Sequence, residues 1–272
     1  MRFKRRIVLI SLLVLLALGT RDASALSIAR DFLASGSSIP GTSDTAGAAP
    51  VTTAGGGDFV SIVNVAASLW EAAILDSHTV TIHFAWVPLD PIGMLAGHLL
   101  VTEGGNPNRE TEASIGFDND GSSAFFLDPT PLGNSEYATF TASSANLGGG
   151  SLNTGRVYTG ASGGAAGNYD LLTIVLHEIG HALGLSSANT SFLTENGDGD
   201  IDVVAPRPAE GSVIPTISGA HLNISTSLMS PSISSGTRRL IAGVDVLANA
   251  EISDFTSIDL DPQLSVPEPG TV

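Results

Sequence analysis

The chain contains no cysteine, which excludes disulfide bonds and thiolate ligands for a metal. It is also poor in basic residues, with 11 lysines and arginines against 27 acidic residues and a formal net charge of −16. Nucleic acids and anionic membranes are themselves negatively charged and would repel so acidic a surface. The composition therefore argues against both as partners, and it suits a soluble exported protein.

The first 25 residues have the three-part layout of a secretory signal peptide. Basic residues between Arg2 and Arg6 precede the apolar run 7–19, which is too short for a comfortable membrane span, and Ala23-Ser24-Ala25 resembles a cleavage site. The mature chain would begin near Leu26 with six arginines, no lysine and 26 acidic residues, a formal charge of −20. We expect a secreted protein, extracellular or at the cell surface, without a stable membrane span.

The segment Leu171–Leu185 carries the pattern H-E-x-x-H at His177, Glu178 and His181. On a helix, residues four apart share one face, so both imidazoles can converge on one zinc ion. Glu178 would project beside the metal, where it can take a proton from bound water. The alternative is a chance pattern on the wet face of a core helix. The aliphatic residues around it indicate burial instead, and buried histidines need a partner such as a metal.

The limits of this helix are also readable from the sequence. Asn168 or Asp170 can cap its start, and Gly184 is a natural terminator. Gly180 lies in the interior, where glycine costs about 1 kcal/mol relative to alanine. We therefore expect a packing or functional reason for Gly180.

The remaining patterns predict an α+β fold with one core. Residues 26–58 are predicted to be a flexible leader, and 59–262 a single domain. The predicted elements are a helix at Phe59–Leu75, strands at Thr79–Val87, Leu99–Thr102 and Ala113–Phe117, and loops at Phe125–Tyr137 and Gly148–Gly167. Three further histidines, His78, His83 and His98, lack ligand spacing and are interpreted as structural.

An open zinc site requires a third protein ligand besides His177 and His181. Extended to Gly184 and Ser187, the motif resembles the long metzincin signature, although that family has His or Asp where this chain has Ser187. Downstream, Leu228-Met229-Ser230-Pro231 resembles the metzincin Met-turn, with Met229 at its centre.

In leishmanolysin-like metzincins the third histidine is displaced to a position shortly before that turn, and His221 matches this arrangement. The resemblance therefore implies zinc held by His177, His181 and His221. There are two alternatives: an acid within Glu195–Asp202 is the third ligand, or His221 faces water and binds no metal.

The resemblance implies a zincin-like mixed sheet with a long N-terminal helix, an active-site helix, a Met-turn and a C-terminal helix within Ser235–Ala250. It also implies a secreted zinc endopeptidase that hydrolyses proteins or peptides with a metal-activated water and Glu178 as general base. The alternative, kept open by Ser187, is a non-catalytic zincin-fold surface or matrix protein whose metal is structural or lost.

Two further segments, an acidic loop and the C-terminal tail, carry weaker resemblances to known motifs. The segment Thr194–Asp202 resembles the first part of a calcium loop, with Asn196, Asp198 and Asp202 as candidate ligands, but Thr194 and Ala205 depart from that pattern. A looser calcium site and a solvated turn both remain open. The tail 263–272 resembles the start of the bacterial PEP-CTERM sorting signal, and a frayed Pro-rich end is the alternative.

Overall fold

The computed structural model describes residues 25–90 and 93–263. Nearly all of the predicted signal peptide and of the predicted sorting-signal tail lies outside these residues. Within the described ranges, no helix combines the length and the apolar character that a membrane crossing needs.

The described residues form four α-helices and thirteen β-strands, which makes the fold α+β, as the sequence predicts. The helices are α1 (Phe59–Ala73), α2 (Leu171–Ala182), α3 (Thr190–Glu195) and α4 (Gly243–Ile252). The strands are β1 (Ser27–Phe32), β2 (Thr53–Ala54), β3 (Thr79–Val87), β4 (Ala96–Gly104), β5 (Arg109–Asp118), β6 (Phe125–Phe126), β7 (Tyr137–Asn146), β8 (Ser151–Ala161), β9 (Tyr169–Asp170), β10 (Asp200–Asp202), β11 (Val213–Ile217), β12 (His221–Leu222) and β13 (Arg238–Leu240).

The main sheet has the strand order β1-β3-β5-β4. The pairs β1–β3 and β3–β5 are parallel, whereas β4 runs antiparallel to β5 at one edge. Strand β3 is almost wholly buried, as its β-branched and aromatic composition predicts. Smaller three-stranded sheets, in the orders β13-β8-β7, β10-β11-β12 and β2-β6-β9, surround this sheet.

The first helix packs between the main sheet and α2. It begins where the Asp58 carboxylate accepts the Ser61 amide at 2.9 Å, a side-chain cap that satisfies a free N–H group. The fully buried Trp70 donates its indole N–H to the Leu176 carbonyl at 2.9 Å, which joins α1 to α2 inside one continuous apolar core.

The predicted flexible leader at 26–58 is wrong for Ser27–Phe32, which forms β1. This segment pairs in parallel with β3, buries Ile28, and is held by an ion pair from Arg30 to Glu71 at 2.7 Å. These partners lie about 40 positions or more further along the chain, so local composition could not indicate them.

The predicted loop at Gly148–Gly167 is also wrong over most of its length. Residues Ser151–Ala161 form β8, which pairs with β7 in a long antiparallel hairpin. Three consecutive glycines, Gly148–Gly150, form its turn, and two more lie within β8; the low strand propensity of glycine hid the pairing.

Candidate functional site

The helix α2 is anchored at its start by a buried charge network. The Asp170 carboxylate caps the helix, accepting the Thr173 amide at 3.0 Å and the Thr173 hydroxyl at 2.7 Å. The buried Arg238 guanidinium donates to the same carboxylate at 2.8 and 3.0 Å and reaches Asp128 at 2.7 Å. Of the two predicted caps, Asp170 is the one used, while Asn168 donates to the Gly164 carbonyl.

About two turns of α2 beyond Asp170, His177 and His181 point to a common centre with His221. The Nε2 atoms of His177 and His181 are 3.1 Å apart. The His221 ring centroid lies 5.1 Å from that of His177 and 4.9 Å from that of His181. One nitrogen from each of the three rings lies within 4.8 Å of the other two. The structure thus brings together three histidines that are separated by as many as 44 positions in the sequence.

Backbone carbonyls fix the two helical histidines. Nδ1 of His177 donates to the Leu228 carbonyl at 2.8 Å, and Nδ1 of His181 donates to the Leu185 carbonyl. Burial lowers the pKa of His177 to about 4 and that of His181 well below its ordinary value. Both rings are therefore neutral near pH 7, with the proton on Nδ1 and the free lone pair on Nε2.

The third histidine is held in the same way by a different part of the chain. His221 opens the short strand β12, and its Nδ1 donates to the Ser218 carbonyl at 3.2 Å. Burial lowers its pKa as well. The amide of the next residue, Leu222, donates to the Met229 carbonyl at 2.9 Å, which ties β12 to the turn that contains Met229.

This arrangement fits a zinc ion. Two Zn–N bonds of about 2.05 Å at a tetrahedral angle separate their nitrogens by about 3.3 Å, close to the 3.1 Å between the helical histidines. Histidine ligands of zinc ordinarily donate their second ring nitrogen to a carbonyl or carboxylate, as all three do here. Ser187, at the position of the third ligand in the longer motif, is exposed at the edge of the same cavity.

Glu178 lies beside the cluster and lines the cavity in front of it. Its side chain is buried, and this burial raises its pKa to about 8. The cavity has a volume of about 470 Å³ and is bounded by one face of α2, the start of β4, and the segments around His221 and Pro231.

The turn around Met229 forms the floor of the site. Met229 is fully buried against Gly180 of α2. The Asp245 carboxylate at the start of α4 accepts the amides of Leu228, Met229 and Ala242 at 2.9 to 3.3 Å. Burial raises the pKa of Asp245 to about 6. Sequence analysis missed Asp245, because nothing in the local pattern links α4 to a turn 16 residues earlier.

The other three histidines lie outside the cluster of His177, His181 and His221. His83 is held between Asp31 at 2.8 Å and Glu112 at 3.0 Å. His98 contacts the buried Glu110 carboxylate at 2.7 Å. However, the ring of His98 also stacks 6.2 Å from that of His181 and lines the cavity. Its role as a wall of the site was not visible in the sequence.

The predicted calcium loop gathers three carboxylates at Asp198, Asp200 and Asp202, with one oxygen of each within 4.8 Å of the others. Asp200 belongs to this group, although the sequence analysis did not name it as a candidate ligand. The amide oxygen of Asn196 instead accepts the Thr216 hydroxyl. Calcium binding at this loop stays a prediction.

Comparison of the chain with protein-family models, with curated protein sequences and with solved structures found no match.

Proposed function

We propose that the mature chain is a secreted zinc-dependent endopeptidase of the metzincin type. The observation that carries this proposal is the convergence of His177, His181 and His221, each with its Nδ1 tied to a backbone carbonyl. A neutral, oriented set of three imidazoles is a typical protein ligand set for catalytic zinc, which keeps its fourth position open.

The surrounding fold supports the same assignment. The described residues contain an N-terminal helix, a mixed sheet, an H-E-x-x-H helix, a buried methionine turn and a C-terminal helix, which are the elements that the metzincin resemblance implies. Ser187 departs from the longer signature. His221 precedes the Met229 turn, which agrees with the leishmanolysin-like variant of the family.

The chemistry divides between the metal and the protein. Zinc, when bound, supplies a Lewis acid that polarises the peptide carbonyl and lowers the pKa of a coordinated water. Glu178 would act as general base towards the attacking water and would then return the proton to the leaving amine. Burial alone raises the pKa of Glu178 to about 8, and the positive charge of a bound zinc ion would lower it towards the carboxylate form that a general base requires.

The substrate side of the cavity favours an extended peptide. Strand β4 lies at the edge of the main sheet among the described residues, and Ala96, Gly97 and His98 of this strand line the cavity. An exposed strand edge can bind a peptide backbone by strand addition, which requires no particular side chains from the peptide. This edge lies beside Glu178 and the histidines, so a bound peptide bond would lie next to the reacting groups.

The test uses the purified mature chain and its Glu178→Gln variant. We expect one zinc ion per chain in both proteins, casein cleavage by the unmodified chain alone, and loss of this cleavage with a chelator. Glutamine keeps the shape of glutamate and cannot act as the base. Zinc binding without cleavage by the unmodified chain would favour the non-catalytic zincin-fold alternative, and normal activity of Glu178→Gln would contradict the mechanism.

A further inference from the structure

Arg239, in β13, brings a positive charge to the wall of the proposed active-site cavity. Its side chain is half-buried and lines the cavity together with His177 and Glu178. Its backbone amide donates to the Thr173 hydroxyl at 2.8 Å. Thr173 precedes His177 by four residues, about 6 Å along the helix axis, so Arg239 sits about one helical turn from the metal ligands.

The guanidinium of Arg239 is only partly used by the protein. One of its terminal nitrogens donates to the carbonyls of Ser227 at 3.2 Å and Ser232 at 2.8 Å. Its Nε is buried and has no hydrogen-bond partner among residues 25–90 and 93–263. The second terminal nitrogen, Nη2, is not buried in this way and donates to none of the described residues, so it is free to bind a ligand in the cavity.

Four of the other five arginines in the described part of the chain are ion-paired, and the fifth, Arg109, donates to the backbone carbonyls of Ser253 and Asp254. Arg30, Arg156, Arg207 and Arg238 each contact a carboxylate at 2.7 to 3.1 Å. No such ion pair forms at Arg239 within the described ranges. The nearby Asp245 carboxylate acts on it electrostatically, but its oxygens accept three backbone amides.

The described lining of the cavity lacks the acidic excess of the rest of the protein, since Arg239 balances its one acidic residue. The chain carries 27 acidic residues, yet Glu178 is the sole one among the described residues that line the cavity. Glu178 is assigned to proton transfer, which leaves Arg239 and the metal as the local positive charges. With zinc bound, the cavity would be net positive within a strongly acidic surface, and it would attract and orient an anionic group.

We propose that Arg239 forms a subsite for a carboxylate of the peptide substrate. The carboxylate comes from an acidic side chain near the scissile bond or from the C-terminus of a short peptide. An extended peptide advances about 3.3 Å per residue, so a group within about two residues of the scissile bond can reach Arg239. Bidentate geometry favours arginine over lysine at such a subsite. This inference rests on the proposed function, because it assumes that peptides bind in the cavity.

The test measures binding separately from turnover. The zinc-loaded Glu178→Gln variant is titrated with pairs of short peptides that differ by glutamate or glutamine at one position, moved stepwise along the peptide. A second set compares a free C-terminal carboxylate with the amide, which separates the two sources. We expect one glutamate position or the free acid to bind about ten- to a hundredfold more tightly than its neutral partner.

A second set of variants assigns that preference to Arg239. In the same background, Arg239→Gln should remove the preference, and Arg239→Lys should keep part of it. The control Arg156→Gln changes the net charge equally at an arginine outside the cavity, and it should leave the preference intact. If Arg239→Gln does not fold, Arg239→Lys still tests the assignment, because it keeps the charge, loses the planar fork and should weaken the preference in a folded protein.

The outcomes separate this proposal from the proposed function. Equal binding of all charged and neutral pairs, or no measurable binding of any charged peptide, overturns the carboxylate subsite. A preference that survives in Arg239→Gln also overturns it. A preference for carboxylates in a protein that never cleaves peptides would uphold the subsite and contradict the endopeptidase assignment alone.

Discussion

Gly180 and Met229 are packed so closely that no side chain fits at position 180. A Cβ atom there would overlap the Met229 sulfur and would lie 3.1 Å from Met229 Cε and 3.2 Å from Trp70 Cζ2. The glycine costs helix stability, yet it lets α2 rest directly on the turn beneath the histidines. This contact is the packing reason that the sequence predicted for Gly180.

Substitution of Gly180 by alanine should destabilise the protein by about 1–3 kcal/mol, because overpacking in a rigid core outweighs the gain in helix propensity. Urea unfolding measures the change. Gly197→Ala is the matched control, since a Cβ atom there meets nothing within 4 Å. Combining Gly180→Ala with Met229→Ala should give a less than additive loss, and strict additivity would show that the two positions do not interact.

Removal of His221 should abolish stable zinc binding. His221→Ala leaves two protein ligands, and an open zinc site normally keeps three. Ser187→Ala is the control and should retain one zinc per chain, because its exposed hydroxyl is a poor ligand. Zinc content after dialysis distinguishes the variants. If Ser187→Ala loses zinc and His221→Ala retains it, the ligand set is wrong.

Arg238→Met should lower the free energy of unfolding by about 3–5 kcal/mol, because it leaves the buried Asp128 and Asp170 carboxylates without their positive partner. Since Asp170 also caps α2, thermal stability and zinc affinity should fall together. The control Arg156→Met breaks a pair with the exposed Asp261 and should cost no more than about 1 kcal/mol. Similar losses in both variants would contradict the proposed anchoring role of the buried network.

The contribution of Asp245 to the free energy of unfolding should fall as the pH rises. A carboxylate with a positively charged partner shows the opposite trend. Burial raises the pKa of Asp245 from 3.8 to about 6, so the folded protein holds the proton more tightly than the unfolded chain does. Its stabilising contribution is therefore present below pH 3.8 and lost as the pH rises through about 6. Over this window the loss amounts to about 3 kcal/mol.

The measurement is the difference in unfolding free energy between the unmodified protein and Asp245→Ala, followed from pH 3.5 to 7. Subtracting the variant removes the titration of the other carboxylates. We expect the difference to fall as the pH rises. A rising difference would mean that the three amide hydrogen bonds to the anion outweigh its burial.

Local patterns in the sequence were sufficient for the elements that depend on neighbours along the chain. The apolar periodicity predicts α1 and α2 close to their observed limits, and the spacing of four places His177 and His181 on one face. Strand β3 follows from its β-branched and aromatic residues. In each of these elements, the residues that decide the conformation lie within a few positions of one another.

The tertiary structure decided whatever depends on distant partners. Strand β1 exists because β3 pairs with it, and β8 because β7 does. His221 was a candidate by resemblance alone, and folding brings it to the helical histidines from 40 positions beyond His181. Arg239 also reaches the cavity through contacts with residues that are distant in the sequence. An arginine beside another arginine carries no local signal, and its position on the cavity wall arises when β13 packs against Thr173 of α2.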